Sequence, residues 1–312
     1  MDEQQSNAAN PIEAAGGISS SSLVLPDSTL LAYRGAVEYL VREVDSYQQT
    51  PEMAVVEKVI SRWLQEPEIS TLLSQLDEGA DIAAAAIVGE MCGYRPNGHS
   101  SAIDLATFTR ILLLSQIDAV WWSGVPHFAL DADVLGSAEL VDLGPLRSAE
   151  LLKFGYRAQP SGLPGRARDW VQHRFVPAFR PRVAGLRFTR SRPELIAVVN
   201  QIARDFAAAM PSGTPRIWVN SMVRSIEHQH RLRSLGYAAV LPSAHCAGYA
   251  CDLESSWLRQ FDPGNTLPRL LSERQQSGQI NVIDEGRTWH LCINPNACGG
   301  LRAVYESQLR TR

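Results

Sequence analysis

The sequence predicts an α+β protein in which an all-helical domain precedes a small antiparallel sheet flanked by helices. Apolar residues recur at three- and four-residue spacing between Asp27 and Gly124, as they do along amphipathic helices. From Ser191 onward, helical stripes are interrupted by short alternating runs that are typical of strands. A chain of 312 residues is long enough for about two domains. The expected parts are a disordered tail (1–26), a helical domain (27–124), an irregular connector beside the substrate (125–185) and the α+β domain (186–312).

The composition excludes several classes of partner. Hydrophobic residues make up 45% and charged residues 20% of the chain, which is ordinary for a soluble globular protein. A net charge of −4 provides no positive field for nucleic acid or for an anionic membrane. The N-terminus lacks the basic and apolar regions of a signal peptide, and the longest apolar stretch, 103–122, is interrupted by Arg110 and Asp118. We therefore expect a cytoplasmic protein that binds neither nucleic acid nor a membrane.

The helical domain is expected to begin at Asp27, which is placed to cap a helix whose apolar stripe runs from Leu30 to Val44. Further helices are predicted over 51–65, 69–76, 80–92 and 102–122. This domain shows no cluster of residues with an evident chemistry. It is expected to serve in packing or in binding a protein partner.

The C-terminal domain alternates helices with strands. Ser191-Arg192-Pro193-Glu194 has the pattern of a capping box at the start of a helix. Gly236 and Gly278 are placed to end two further helices. The predicted elements are helices over 191–210, 226–235 and 268–276, a strand over 216–220, and a hairpin of strands over 279–283 and 288–293.

The stretch 243–252, Ser-Ala-His-Cys-Ala-Gly-Tyr-Ala-Cys-Asp, carries the most informative chemistry. His245 and Asp252 are suited to be two ligands on a tight turn, because Gly248 between them lets the backbone fold back. With His290 from a later strand, they would provide two nitrogen atoms and one oxygen for a divalent metal. Three protein ligands and one open position are typical of a catalytic zinc site.

The five cysteines are expected to be free, mostly buried thiols in a reducing compartment. Four of them lie in or beside the predicted metal site. Cys292 would share the strand face of His290, which leaves open a fourth ligand or a redox-sensitive thiol.

These motifs resemble those of the zinc D,D-peptidases, the superfamily of D-alanyl-D-alanine carboxypeptidases and dipeptidases. The pattern Ser-x-His-x-x-Gly-x-Ala-x-Asp over 243–252 is followed by Trp289-His290 and preceded by Val-Asn-Ser-Met-Val-Arg-Ser over 219–225. The resemblance covers the last third of the chain, from residue 186 to about residue 300. It implies a D,D-peptidase-like fold for that part.

The resemblance also implies a bound Zn²⁺ ion, with His245, Asp252 and His290 as its ligands. Arg224 would lie beside the ion, where the fixed donors of a guanidinium suit a substrate carboxylate or a developing oxyanion. Two more residues are candidates for substrate binding. Ser243 lies in the metal loop, and His228 shares a helix face with Arg224.

The general base is where the sequence departs from this family. Amide hydrolysis needs a group that takes a proton from the attacking water and returns it to the leaving amine. The family usually has a glutamate three residues before the last histidine ligand, but here that position is Arg287. Glu285 is the nearest carboxylate and the first choice for the base. Glu254, which alternates onto the strand face of Asp252, is the second choice.

The sequence thus predicts a zinc metallopeptidase-like hydrolase that cleaves a small peptide or a peptide-like amide by metal-activated water, as in D-alanyl-D-alanine carboxypeptidase or dipeptidase chemistry. Two alternatives stay open. The hedgehog signalling domain has a similar zinc-site plan that serves binding, so the chain could be a catalytically inactive, zinc-stabilised binding module. A repurposed zinc enzyme of a biosynthetic pathway, acting on a non-peptide substrate, would carry the same ligands.

Overall fold

The structure, a computed structural model, describes residues 25–47, 53–95, 100–159, 181, 183 and 185–310. The tail predicted over 1–26 lies outside these ranges except for its last two residues, and residues 160–180 of the predicted connector lie outside them as well. No helix within the described ranges is both long and apolar enough to cross a membrane.

The helices predicted in the N-terminal part are all present, with ends that differ slightly from the prediction. They are α1 (Asp27–Ser46), α2 (Met53–Leu64), α3 (Pro67–Leu73), α4 (Ala80–Gly93) and α5 (Leu105–Trp121). Helix α5 is buried around most of its circumference, and Asp104 caps it by accepting a hydrogen bond of 2.7 Å from Thr107 N. The cap predicted at Asp27 is wrong, because Asp27 is the first helical residue and Pro26 precedes it without a side-chain cap.

The rest of the chain forms shorter helices and strands. In chain order these are α6 (Asp131–Gly136), β1 (Val141–Asp142), α7 (Leu143–Ser148), β2 (Gly155–Tyr156), β3 (Arg190–Ser191), α8 (Pro193–Ala209), β4 (Trp218–Ser221), α9 (Ile226–Ser234), α10 (Ala244–Ala247), β5 (Ala250–Glu254), α11 (Thr266–Gln276), β6 (Ile280–Asp284), β7 (Thr288–Ile293) and α12 (Cys298–Arg310). Helix α12 was not predicted, since Gly299 and Gly300 in its first turn are poor helix formers. It packs against α8 and buries Leu301 and Tyr305.

The capping box predicted over residues 191–194 does not form. Pro193 is the first residue of α8, and Arg192 precedes it without a side-chain cap. The Glu194 carboxylate accepts a hydrogen bond of 2.8 Å from Arg302 Nε on α12. A contact between two helices has therefore taken the place of the local cap.

The main sheet has five strands in the order β2-β4-β5-β7-β6. Strands β4, β5, β7 and β6 pair antiparallel, as predicted, whereas β2 lies parallel to β4. Strand β2 consists of Gly155 and Tyr156 alone, which is too short for a strand pattern to be detected in the sequence. Because β2 lies in the predicted connector, that segment supplies one edge of the sheet.

Helices cover both faces of this sheet, and strand alternation divides its side chains between them. Leu253 and Leu291 point to the face that α8, α11 and α12 cover. Ala250 and Cys292 point to the opposite face and share one apolar core with helices α1 to α5. The helical segment is therefore not a separate packing unit, because its core continues onto the sheet. The predicted metal ligands Asp252 on β5 and His290 on β7 lie on the face of Ala250 and Cys292, which shares its core with helices α1 to α5.

Candidate metal centre

Two of the predicted ligands are direct cross-strand neighbours. Asp252 on β5 pairs with His290 on β7 in the middle of an antiparallel ladder. Residues opposite each other in such a ladder have Cβ atoms about 4.5–5.5 Å apart on the same face of the sheet. The register of β5 and β7 therefore brings the carboxylate and the imidazole together.

The third predicted ligand, His245, comes from the segment just before β5. This segment forms the one-turn helix α10 where the sequence predicted a loop, and Gly248 ends it in the left-handed conformation with φ of +82°. A Cβ atom at Gly248 would lie 3.2 Å from the Arg192 side chain. The prediction that this tight turn depends on a glycine is therefore confirmed.

The three ligand atoms form a nearly equilateral triangle. His245 Nε2 lies 3.1 Å from Asp252 Oδ1 and 3.3 Å from His290 Nδ1, and the last two atoms are 3.1 Å apart. In a tetrahedral site with metal–ligand bonds of about 2.0–2.1 Å, neighbouring ligand atoms lie about 3.3 Å apart. All three residues are buried. The cluster has the dimensions of one face of a tetrahedral site and could hold a metal ion.

The other ring nitrogen of each histidine has its own hydrogen-bond acceptor. His245 Nδ1 lies 2.7 Å from the carbonyl oxygen of Met222, and His290 Nε2 lies 2.8 Å from Asp118 Oδ2. A ring nitrogen that donates to such an oxygen leaves the lone pair of the other nitrogen for a metal. Both rings are thus oriented with one nitrogen towards the common centre, and this donor set fits a divalent cation such as zinc.

Asp118 is a part of the site that the sequence analysis missed. It lies on α5, and its Oδ1 accepts a hydrogen bond of 2.9 Å from Asn281 Nδ2 on β6. Asn281 in turn accepts one of 2.9 Å from Arg34 on α1. The helical segment therefore contacts His290 directly, a contribution that the sequence analysis did not predict. The available signal was the aspartate itself, because a carboxylate inside an apolar helix is costly to bury without partners.

The two carboxylates favour a proton on His290. Burial lowers the pKa of His290, but the hydrogen bonds and charges of Asp118 and Asp252 outweigh burial and raise this pKa to about 10. Burial also acts to raise the pKa of Asp252, whereas the His245 ring and the Arg224 guanidinium bring it well below its usual range. A metal ion at this site competes with the His290 proton, so metal affinity is expected to rise with pH.

Arg224 is fixed beside the cluster by three hydrogen bonds. Its guanidinium donates to Asp252 Oδ2 at 2.5 Å, to Ser221 Oγ at 2.7 Å and to Gln229 Oε1 at 3.2 Å. The first of these bonds orients the ligand carboxylate, since it engages the oxygen atom that points away from the triangle. Arg224 also borders the cavity described below. Its contact with a substrate carboxylate stays a prediction.

Glu285, the first choice for the base, lies in the turn between β6 and β7. Its carboxylate accepts a hydrogen bond of 2.9 Å from Thr288 Oγ1 and another from the Ser101 side chain. Burial and the charge of Asp252 raise the pKa of Glu285, against the opposing charge of His290. A carboxylate with a raised pKa is suited both to accept and to return a proton.

Glu254, the second choice for the base, has a structural task. Its carboxylate accepts hydrogen bonds from the backbone N–H groups of Trp257 at 2.7 Å and Leu258 at 3.3 Å. It thereby caps the short turn that follows β5. Burial raises the pKa of Glu254, and these hydrogen bonds oppose the effect. Glu285 stays the first choice, because its hydrogen bonds come from the hydroxyl groups of Thr288 and Ser101, whereas Glu254 caps backbone N–H groups.

Every site residue predicted from the sequence borders one cavity of about 640 Å³. Ser243 and His228 border it together with the metal cluster, and so does Arg287. The walls include residues of α5, of α9 and of the sheet, so both parts of the chain form the site. Volumes between about 300 and 1,000 Å³ are typical of sites for small molecules.

The five cysteines are free thiols, as predicted. Cys292 lies on the ligand face of β7, but its thiol accepts a hydrogen bond of 3.2 Å from Trp122 Nε1 within the core. Within the described ranges, the candidate metal cluster contains two histidines and one aspartate and no cysteine. The structure therefore does not place Cys292 among the candidate ligands.

Replacing Asp118 by asparagine is expected to lower zinc affinity by about 10- to 100-fold, because the group that orients His290 loses its charge. Titration of zinc against a competing chelator measures the change. Asp104→Asn is the matched control, since it makes the same change on α5 at a residue that caps the helix, and asparagine is also a good cap. Equal zinc affinity of the two variants would contradict the role assigned to Asp118.

Comparisons of this chain with protein-family profiles, with curated proteins and with solved structures found no match.

Proposed function

We propose that this protein is a zinc-dependent hydrolase that cleaves a small peptide or a peptide-like amide. The observation that carries the proposal is the triangle of two histidine nitrogens and one aspartate oxygen, with edges of 3.1 to 3.3 Å, at the wall of the 640 Å³ cavity. Such a ligand set suits zinc, and three protein ligands leave one position open. Zinc bound there would polarise a substrate carbonyl and lower the pKa of a water molecule.

Three residues have the remaining roles in the proposed mechanism. Glu285 takes the proton of the attacking water and returns it to the leaving amine, a role that its raised pKa supports. Arg224 holds Asp252 in its ligating orientation, and we also assign to it the substrate carboxylate. Asp118 holds the ring of His290 in place.

Arg287 favours a second candidate function. It occupies the position where the zinc D,D-peptidases have their catalytic glutamate. A chain without the base would be a zinc-stabilised binding module, with helices α1 to α5 as the surface for a protein partner. We favour an enzyme because Glu285 borders the same cavity as Asp252 and His290 and provides a carboxylate that can act as a base. A zinc enzyme acting on a non-peptide substrate would use the same residues.

The test is hydrolysis of D-alanyl-D-alanine, L-alanyl-L-alanine and their N-acetyl derivatives by protein loaded with one zinc per chain. We expect alanine to be released from at least one of these compounds, with the activity lost on chelation and restored by added zinc. Protein that holds zinc but releases no alanine from any of them would favour the binding module. Protein that does not bind zinc would contradict both functions.

A further inference from the structure

A second cavity, of about 410 Å³, lies where β2 forms the edge of the main sheet. We call it the edge cavity. The described residues that line it do not border the cavity of the metal centre. Its volume lies in the range of about 300–1,000 Å³ that is typical of sites for small molecules. Its lining includes three cations and two aromatic side chains, Arg147, Lys153, Arg216, Tyr156 and Trp218.

The pairing of β2 with β4 places an indole ring in this cavity. Gly155 on β2 lies opposite Trp218 on β4. A Cβ atom at Gly155 would lie 2.8 Å from both Cδ2 and Cε2 of Trp218, the two atoms that the indole rings share, so a face of the ring lies against the glycine. A glycine is needed here, because any larger side chain would displace the ring. The half-buried indole borders the cavity and can contact a flat part of a ligand.

The same two strands bring the cations together. Lys153 and Arg216 each lie two residues before the paired positions Gly155 and Trp218, so both lie at the same end of this parallel ladder. Neighbouring strands are only about 4.8 Å apart. The Lys153 ammonium is oriented by donating to the carbonyl oxygen of Glu150 at 3.0 Å.

The third cation, Arg147, comes from α7. Its guanidinium lies 5.3 Å from the centroid of the Tyr156 ring, and Tyr156 is the residue of β2 that follows Gly155. All three cations are exposed and accessible to a ligand. The cavity therefore combines three positive groups with an aromatic surface.

These three cations form no ion pair with a carboxylate among the residues that the structure describes. The contrast with the metal centre is clear, since Arg187 there pairs with Asp131 and Arg224 pairs with Asp252. Three cations and the single carboxylate of Glu150 leave the lining of the edge cavity with a positive balance. Cations held close together repel one another, and a bound anion relieves this repulsion.

We infer that the edge cavity is a second ligand site, which binds a small molecule that carries a phosphate-type anion on a flat ring. Lys153 and Arg216 bind the anion, because ammonium and guanidinium groups form strong, charge-assisted hydrogen bonds with phosphate oxygens. The ring stacks on Trp218, as nucleobases do on aromatic side chains. A nucleoside phosphate has both parts. The site is separate from the metal centre, so this inference does not rest on the proposed hydrolase function.

The test is calorimetric titration of the protein with ADP, adenosine and pyrophosphate, which represent the whole ligand, its ring part and its anion. Each titration is made with zinc-loaded protein and with protein freed of zinc by a chelator, because a phosphate can also bind a metal ion. We expect ADP to bind at least about 10-fold more tightly than either part. Its affinity should be the same with and without zinc and should fall as salt is added.

Arg216→Gln and Lys153→Gln are each expected to weaken ADP binding by about 10-fold, because each removes a charge that binds the phosphates. Lys58→Gln is the matched control and should leave the affinity unchanged, since Lys58 is exposed on α2 and does not border the cavity. Trp218→Leu is expected to weaken ADP binding by about 10-fold and to leave pyrophosphate binding unchanged. Thermal unfolding of each variant shows that it is folded.

The site is overturned if ADP does not bind, if it binds no better than adenosine, or if Arg216→Gln and Lys153→Gln keep the full affinity. Pyrophosphate binding as tight as that of ADP, or unchanged ADP binding by folded Trp218→Leu protein, would contradict the role of the ring. Loss of ADP binding on removal of zinc would assign the ligand to the metal centre instead. None of these results depends on amide hydrolysis, so failure of this site and failure of the hydrolase are distinguishable.

Discussion

Replacing His245 by alanine is expected to lower zinc affinity by at least about 100-fold, so that the variant is purified without metal. Structural zinc sites with four ligands bind their ion with about 10–16 kcal/mol, which is roughly 3 kcal/mol for each ligand. A loss of roughly 3 kcal/mol corresponds to a factor of more than about 100 in the dissociation constant. The cluster has three ligand residues, and only Asp252 and His290 would remain. Elemental analysis of the purified proteins measures the metal content.

His230→Ala is the matched control for this experiment, because His230 is exposed on α9 and does not belong to the cluster. About one zinc per chain is expected in the wild type and in the control. The His245 ring also donates to the carbonyl oxygen of Met222, so its removal costs about 1–3 kcal/mol of stability. Thermal unfolding of the variant therefore accompanies the metal analysis. A folded His245→Ala protein that keeps its zinc would contradict the proposed metal centre.

The clustering of the three predicted ligands could be foreseen in part from the sequence, because local features determine the turn and the hairpin that carry them. Gly248 and the small residues beside it predict a turn that brings His245 back towards Asp252, and the turn forms with a left-handed glycine. The hairpin ending in β7 was predicted from alternation and turn residues, and its pairing with β5 places His290 opposite Asp252. The turn and the hairpin depend on interactions between residues close in the chain, whereas the pairing of β5 with β7 joins residues far apart and was not predicted.

Asp118 could not be predicted in the same way, because its contact with His290 joins residues 172 positions apart. Helix α5 is apolar on most sides, so its pattern does not show which side meets the sheet. The same reason explains why the sequence separated the helical segment from the sheet. A shared core is a property of the assembled layers, and each segment alone shows only its own periodicity.

Arg224 illustrates a different limit of the sequence argument. The family resemblance placed Arg224 beside the predicted metal ligands and assigned to it a substrate carboxylate or a developing oxyanion. In the structure one of its hydrogen bonds reaches Asp252, and the others reach Ser221 and Gln229. A guanidinium offers five donors, so a residue identified as a substrate contact can also be the support of a ligand. The sequence alone does not show which of these donors would bind a substrate and which support Asp252.

Replacing Glu285 by glutamine is expected to lower kcat by about 10²- to 10⁴-fold and to leave the zinc content unchanged. Glutamine has nearly the same shape, and its amide oxygen can still accept the hydrogen bond from Thr288 Oγ1. It cannot take a proton from water, however. Because the base must be ionised to act, the wild-type rate should fall as the pH decreases through the raised pKa of Glu285. With zinc kept saturating at each pH, so that competition from the His290 proton does not contribute, this acidic limb should be absent from the pH profile of the variant.

Two further variants separate Glu285 from its neighbours. Asp284→Asn is the matched control in the same turn, and asparagine can still accept the hydrogen bond of 2.8 Å from Gly286 N. Its kcat should remain close to that of the wild type. Glu254→Gln should mainly lower the unfolding temperature, because it weakens the carboxylate that accepts from Trp257 N and Leu258 N.

The opposite pattern, with turnover lost in Glu254→Gln and kept in Glu285→Gln, would identify Glu254 on β5 as the base. Full turnover in both variants would mean that neither carboxylate moves the proton, and the proposed mechanism would then be wrong even if zinc is bound. Loss of zinc from Glu285→Gln would instead make Glu285 part of the metal centre. Kinetic and metal analyses of the same preparations are therefore both required, because only retained zinc with lost turnover identifies a base.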